Sequence, residues 1–416
     1  MPDSPLSGPA LLARIEALAA ISADTGALSR LYLTPEHRRA NDLVAGWMRE
    51  AGMGVREDAV GNIVGRYEGD RPGLPALLIG SHLDTVRDAG KYDGMLGVLS
   101  GIAVVAELHA QGRRMPFAIE VIGFGDEEGT RFQSTLIGSR AIAGTFDPSV
   151  LDKRDAGGVR LGDAMAAFGL DPAAWATAAR RPADVLAYAE LHIEQGPVLE
   201  ALGRAVGIVT AIAGATRLAV TVEGFAGHAG TVPMTLRRDA LAASAEMILA
   251  VESLCSGQDR LVGTVGRVEA APGATNVIPG RVRFTIDLRA DRDPLRLERV
   301  AAVRARLEEI ADRREVGIAF ETLHESPAVA CHPDLMAQLA AAAASLGLDA
   351  PELPSGAGHD AMAVAALTDI AMLFVRCERG ISHNPAESIT AADAEAGARV
   401  LARFVDHFQP ASDRAP

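Results

Sequence analysis

Aromatic residues are scarce in this chain of 416 residues, at 4% of positions, and there are only three cysteines. Cys255, Cys331 and Cys377 are widely scattered and form no C-x-x-C pair. That leaves no disulfide framework and reads as buried thiols in a reducing cytoplasm. Long apolar runs are also missing, since none approaches the roughly 18 residues needed to span a bilayer. The first residues, MPDSPLSGPALLARIEAL, lack the basic start of a secretory signal, and their apolar positions fall at helical spacing. Positive charge is in deficit, with a net charge of −14. This argues against nucleic acid and anionic membranes as partners. It does not exclude a small anionic substrate, because one arginine or a metal ion can dominate a site. The expectation is a cytoplasmic protein with no membrane and no nucleic-acid partner.

The chain is too long for one ordinary core, which predicts two domains. Apolar residues at 11, 12, 15, 18 and 19 have helical spacing, and 38–51 looks helical as well. Residues 76–80 and 117–125 read as strands, with a buried helix at 94–110 between them. This alternation predicts an α/β layer with a mostly parallel sheet, whose ligands sit outside the carboxyl ends of the strands. The middle of the chain has another rhythm. Strand 216–225, helix 239–254, strands 261–270 and 281–290, helix 294–315 and strand 317–323 give the order β-α-β-β-α-β, the split βαβ or ferredoxin-like unit. The predicted organisation is a main domain formed by 1–213 and 328–416, with an α+β domain at 214–327 inserted into it. Helix 332–346, strand 371–376 and helix 391–408 complete the main domain.

Five short blocks place His or carboxylate residues beside glycine or a turn residue. They are Gly80-Ser81-His82-Leu83-Asp84, Lys91-Tyr92-Asp93-Gly94, Asp126-Glu127-Glu128-Gly129, Leu191-His192-Ile193-Glu194-Gln195 and Ile381-Ser382-His383-Asn384-Pro385. His82 reads as a metal ligand with Asp84 as its orienter, because a ligating imidazole usually donates its other N–H to a carboxylate. The pair alone reads equally well as a polar strand cap. Asp93, before a helix, could bridge two metals or simply cap the helix. Adjacent Glu127 and Glu128 repel each other unless cations compensate. One can ligate while the other accepts a proton from water. In isolation they could form an exposed acidic turn. His192 and His383 taken singly would be structural, but the five blocks together point to a preformed cation site.

The blocks GSHLDTV, KYDGMLGV, DEEGTRF, LHIEQGPVLE, GHAGTVPM, TNVIPG, SGAGHDA and GISHNPAE together resemble the dinuclear-metal amidohydrolases that cleave ureido groups. These are the allantoate amidohydrolases and N-carbamoyl-L-amino acid hydrolases, with β-ureidopropionases of the same fold. The resemblance spans nearly the whole chain. It implies a metallopeptidase-like catalytic domain with an inserted lid and dimerisation domain. It also implies two divalent metal ions per subunit, zinc or manganese, with cobalt or nickel as other possibilities. His82, Asp93 and His192 would serve one metal and Asp93, Glu128 and His383 the other, with Glu127 as general base. The related aminoacylases and exopeptidases usually carry an acidic residue where this chain has His192. Asp126, where many relatives have a small residue, is expected to raise the pKa of Glu127.

The resemblance further implies that His228 polarises the scissile carbonyl, donated across a homodimer by the partner's lid. Asn276 and Arg289 would hold the substrate carboxylate, Arg289 as a bidentate clamp. Without the resemblance, Arg289 reads as a surface charge ending a strand. Gln195 and the loop Gly356-Ala357-Gly358-His359 would touch the substrate from the catalytic domain. The expected reaction is hydrolysis of a ureido C–N bond in a small carboxylate. Allantoate, converted to ureidoglycine, ammonia and carbon dioxide in purine catabolism, is the preferred substrate, with an N-carbamoyl-L-amino acid next. A dipeptidase or aminoacylase would share the metals, but His192 and the Asn276–Arg289 pair argue against it. A non-catalytic binding protein would be expected to have lost a ligand or the base, and none is missing.

Overall fold

A computed structural model describes residues 4–411. Helices Gly8–Ala19 and Pro35–Glu50 come first, then β1 (Gly54–Glu57), β2 (Ile63–Tyr67), β3 (Ala76–His82), helix Met95–Ala110 and β4 (Ala118–Phe124). Short helical turns fill 137–184 before β5 (Val185–Ile193) and β6 (Val206–Ile212). Next are β7 (Gly214–Glu223), β8 (Gly227–His228), helix Ala240–Cys255, β9 (Leu261–Ala271), β10 (Val277–Ile278) and β11 (Arg281–Ala290). Helix Asp293–Arg313, β12 (Gly317–Ser326) and β13 (Val329–Ala330) follow. The chain ends with helix Pro333–Ser345, β14 (Glu352–Ser355), β15 (Ile370–Val375) and helix Ala391–His407.

Two compact units emerge. Residues 4–210, 331–353 and 358–411 form the first, and Ala211–Ala330 with Pro354–Ala357 the second. In the first unit the strands run in the order β1-β2-β4-β3-β5-β15-β6. β4, β3, β5 and β15 are mutually parallel. The margins are antiparallel, at β1–β2, β2–β4 and β15–β6. The sheet is therefore mixed, parallel only through its centre. A tight turn produces the antiparallel β1–β2 pair. The Asp58 carboxylate accepts the N–H groups of Val60 and Asn62, each at 3.0 Å, and folds the chain straight back.

Every residue of β3 and β4 is buried, as expected for strands covered on both faces. Helices Gly8–Ala19, Met95–Ala110 and Ala391–His407 share one hydrophobic cluster with the central strands, including Leu11, Ile15, Leu99, Ile102, Leu191 and Leu401. Helix Met95–Ala110 is apolar nearly all round and accordingly central. Gly97 lets it approach β5, for a Cβ there would lie 2.2 Å from the Leu191 carbonyl oxygen.

The second unit is a four-stranded antiparallel sheet in the order β12-β7-β11-β9. Along β11 the residues alternate, with Val282, Phe284, Ile286 and Leu288 buried against Val303, Leu307 and Met247 of the two helices. Strand order and connectivity are those of the split βαβ unit. Residues 354–357, which the sequence reading placed in the catalytic domain, belong to this second unit. The Ser355 carbonyl accepts the Ala213 N–H at 2.9 Å, and the Gly356 carbonyl accepts from Arg289 at 2.7 Å. No helix among the described residues is long and apolar enough to cross a membrane.

Candidate metal centre

The carboxyl ends of the four parallel strands converge. His82 is the last residue of β3, Glu127 and Glu128 follow β4, His192 lies near the end of β5, and His383 follows β15. Asp93 sits in the turn before helix Met95–Ala110 and occupies the middle of this group. Its Oδ1 lies 3.4 Å from His82 Nε2 and 3.1 Å from His192 Nε2. Its Oδ2 lies 3.2 Å from His383 Nε2, which is itself 3.5 Å from Glu128 Oε1.

The surroundings of the two buried histidines suit a cation. His82 Nδ1 is 2.9 Å from the Asp84 carbonyl oxygen, and His192 Nδ1 is 2.9 Å from the Ile193 carbonyl oxygen. A carbonyl accepts only, so each Nδ1 carries a proton and each ring turns its Nε2 toward Asp93 Oδ1. Lone pairs facing a carboxylate oxygen repel unless a proton or a metal lies among them. His192 Nε2 is buried with no hydrogen-bond partner among the described residues. Ligand atoms of His82, Asp93 and His192 come within 4.8 Å of one another, and so do those of Asp93, Glu128 and His383. Imidazole and carboxylate donors in two sets sharing one carboxylate fit two divalent cations.

The local charges behave accordingly. Burial opposes ionisation of Asp93, yet the adjoining His192, His383 and His82 hold its carboxyl well below the usual range. The bond to Asp93 lifts His383 to about 9. Burial lifts Glu128 to about 7, against the pull of His82. Glu127 is pushed well above the ordinary carboxylate value, by burial first and then by Glu128, Asp360 and Asp84, while His82 opposes the shift. Asp126 is not among the main causes of the Glu127 shift; it adopts a left-handed backbone (φ 62°) and contributes to raising the buried Tyr32 hydroxyl.

Several expected roles take a different form. Asp84 orients His82 through its main-chain carbonyl. Its carboxylate stands 3.9 Å from the ring and accepts the N–H groups of Glu127 and Glu128 at 3.1 and 3.3 Å. Gln195, expected to touch substrate, donates from Nε2 to Asp93 Oδ2 at 2.8 Å and to Ser382 Oγ at 3.1 Å. His359 is buried and packs edge-on against His192, with ring centroids 4.5 Å apart, so it supports the ligand from behind. Gly358 lies beside Glu127, since a Cβ there would be 3.8 Å from Oε1.

His228, Asn276, Arg289, Gly356 and Ala357 belong to the second unit. His228 is exposed and pairs with Val277, the neighbour of Asn276, in the two-residue β8–β10 ladder. Its Nδ1 accepts the Gly230 N–H at 3.0 Å, which leaves Nε2 as the N–H donor. Arg289 is not a free clamp. Its Nε and one terminal nitrogen bind both oxygens of Asp287 at 3.0 and 2.9 Å, and the other donates to Gly356.

Two contributors escaped the sequence reading. The buried Glu387 accepts the N–H groups of Tyr92 and Asp93 through Oε1, and its Oε2 pairs with Ser382 Oγ at 2.9 Å. Ser382 Oγ is also 2.9 Å from Asp93 Oδ2. Glu190, buried beneath the site, accepts from Ser81 Oγ at 2.9 Å and from the Ala361 N–H at 3.0 Å. Glu387 ends the block GISHNPAE and Glu190 immediately precedes LHIEQGPVLE, and their burial is the signal that sets them apart.

Residues 78–407 match peptidase family M20/M25/M40. The chain belongs to this family. It is 47% identical over 377 residues to an N-carbamoyl-L-amino acid amidohydrolase of Geobacillus stearothermophilus, covering 91% of this chain and 92% of that protein. It is 42% identical over 426 residues to an allantoate deiminase of Arabidopsis thaliana, covering 95% and 81%. An amidase of the hydantoinase/carbamoylase family from Burkholderia multivorans has a similar crystal structure. The TM-score is 0.90 at 34% identity, covering 96% of this chain and 97% of that one. The chain is a metal-dependent amidohydrolase acting on C–N bonds.

Proposed function

We propose that this enzyme hydrolyses the ureido C–N bond of a small carboxylate, with allantoate as substrate and ureidoglycine, ammonia and carbon dioxide as products. The observation that carries the reading is the convergence of the His82 and His192 Nε2 atoms on Asp93, with Glu127 nearby and its proton affinity raised by burial. His82, Asp93 and His192 would hold one divalent cation, and Asp93, Glu128 and His383 a second. Zinc or manganese suits these donors. When bound, the cations polarise the scissile carbonyl and acidify water.

Glu127 is the general base in this reading. Burial and the neighbouring carboxylates raise its affinity for a proton, as a base requires. It takes a proton from the attacking water as the C–O bond forms. It returns the proton to the departing nitrogen as the C–N bond breaks and ammonia leaves. The carbamate left behind loses carbon dioxide. His228 supplies an Nε2–H donor for the developing oxyanion, and Asn276 with Arg289 holds the substrate carboxylate. For Arg289 to do so, the incoming carboxylate must take over part of the fork now bound to Asp287. We also infer that two copies pair through the second unit and that His228 serves the partner's site.

One observation favours a second reading with the same machinery, an N-carbamoyl-L-amino acid as substrate: the 47% identity to an enzyme named for that substrate. Ammonia release by metal-loaded protein separates the two. Allantoate should turn over with a kcat/KM well above that of any member of an N-carbamoyl-L-amino acid panel. The reverse order would replace the first reading with the second, and no release from either would remove both.

A further inference from the structure

The first unit carries a second polar groove at the amino ends of the parallel strands, the end opposite the histidines. Its volume is about 620 Å³, and Arg56, Arg66, Arg180 and Arg181 line it together with Asp184 and Thr177. Leu74 lies just before β3 and Asp184 just before β5. Beneath it Glu120, in β4, is only 2% exposed and stands opposite Arg66 of β2. No lining residue belongs to the metal centre.

The groove holds a surplus of hydrogen-bond donors. Arg66 is well satisfied, with two bonds to Glu68 at 2.7 and 3.1 Å, one to the Leu74 carbonyl at 2.7 Å and one to Glu120 Oε1 at 3.0 Å. Arg181 binds both oxygens of Asp184 at 2.8 Å. Arg180 places a single nitrogen on Glu120 Oε1, at 2.8 Å, the oxygen Arg66 already uses. The Arg56 side chain makes no hydrogen bond among the described residues, and its nitrogen stands 3.9 Å from Glu120 Oε2. That oxygen is buried and accepts no hydrogen bond. Asp58, whose ionisation Arg56 favours, has its oxygens taken by Val60 and Asn62. Four guanidinium groups thus share Glu68, Glu120 and Asp184, with Asp58 already satisfied, and the unused N–H donors are those of Arg56 and Arg180. In a chain of net charge −14, such a concentration of arginine is a local feature.

Guanidinium forks match the paired oxygens of phosphate and carboxylate. We propose that this groove binds a small oxyanion bearing two negative charges, held between Arg56 and Arg180, with Glu120 as the buried counter-ion that fixes the floor. The added anion completes the donors of both forks and offsets the repulsion between cations crowded on one carboxylate.

Isothermal titration of metal-loaded protein with inorganic phosphate and with malonate, each against chloride at matched ionic strength, tests the site. At least one anion should bind saturably in the low-millimolar range or tighter. Binding by phosphate alone assigns a phosphate ligand, and binding by malonate alone a dicarboxylate. Because anions also bind metals, Arg56→Gln and His82→Ala are titrated beside the wild type. Arg56→Gln should weaken the groove component by roughly tenfold or more, the effect of losing a charge-assisted contact. His82→Ala should leave that component in place. Arg180→Lys, which keeps the charge but loses the fork, should also bind more weakly. The Arg56 side chain holds no hydrogen bond, so its replacement should leave the unfolding midpoint in chloride unchanged. Equal affinity in wild type and Arg56→Gln, or no saturable binding of either anion, overturns the proposal.

Discussion

Glu387 accepts the backbone N–H of Asp93 at 3.1 Å, across 294 residues of sequence. The same oxygen takes the Tyr92 N–H at 2.8 Å, so the turn that presents Asp93 is fixed from its back. Supporting groups of this kind typically tune metal affinity by about 10–100-fold. Glu387→Ala should weaken metal binding by about that factor, measured by competition with a chromophoric chelator. Glu387→Gln, which keeps an acceptor oxygen, should recover part of the loss. Unchanged affinity in both would reduce Glu387 to a packing residue.

Glu127 should behave as a base and not as a ligand. Glu127→Gln is expected to retain metal while turnover falls by roughly 10²–10⁴-fold. Elemental analysis beside the rate decides the matter, since a variant that loses its metal would make Glu127 a ligand.

Gly94 has φ +76°, and a Cβ there would lie 2.5 Å from the His82 ring. Gly94→Ala should therefore displace His82 and lower the metal content. Gly73→Ala is the control. Gly73 has φ +75° but nothing within 4 Å of its would-be Cβ, so it should cost only backbone strain of about 1 kcal/mol and keep the metal. Equal metal loss in both variants would trace the effect to strain and not to the ring.

All three thiols are buried, and burial pushes Cys331 up to about 12 and Cys377 up to about 11. Native protein should show no fast reaction with a disulfide reagent at pH 8, and three equivalents in guanidinium chloride. A rapidly reacting thiol in the native state would contradict this burial.

If His228 serves a partner's metals, mixing His228→Ala with Glu127→Gln should restore activity, because one site of each heterodimer would then be intact. Should subunits exchange without any recovery, the shared site is wrong.

The central strands were readable because β3 and β4 are largely apolar runs that give way to His82 and Asp126. The margins were not. β1 is half exposed and shows no clean period, whereas β6 is an apolar run as long as β3 that spacing alone does not distinguish from a buried helix segment. The metal-ligand types could be read from local blocks, but Glu387 acts through a backbone contact that no spacing reveals. The engagement of Arg289 could have been inferred. Asp287 precedes it by two residues on one strand and therefore shares its face.

The position of β15 between β5 and β6 has a consequence for synthesis on the ribosome. His82, Asp93, Glu128 and His192 all emerge early, yet β5 has an open edge until residues 370–375 are made. His383 and Glu387, which grip Asp93 from the other side, come later still. The second unit can fold while the first waits for its last sheet strand. On the proposed ligand set, metal capture would be deferred to the end of translation, and a chain truncated before residue 370 should bind metal weakly despite carrying four of the five proposed ligands.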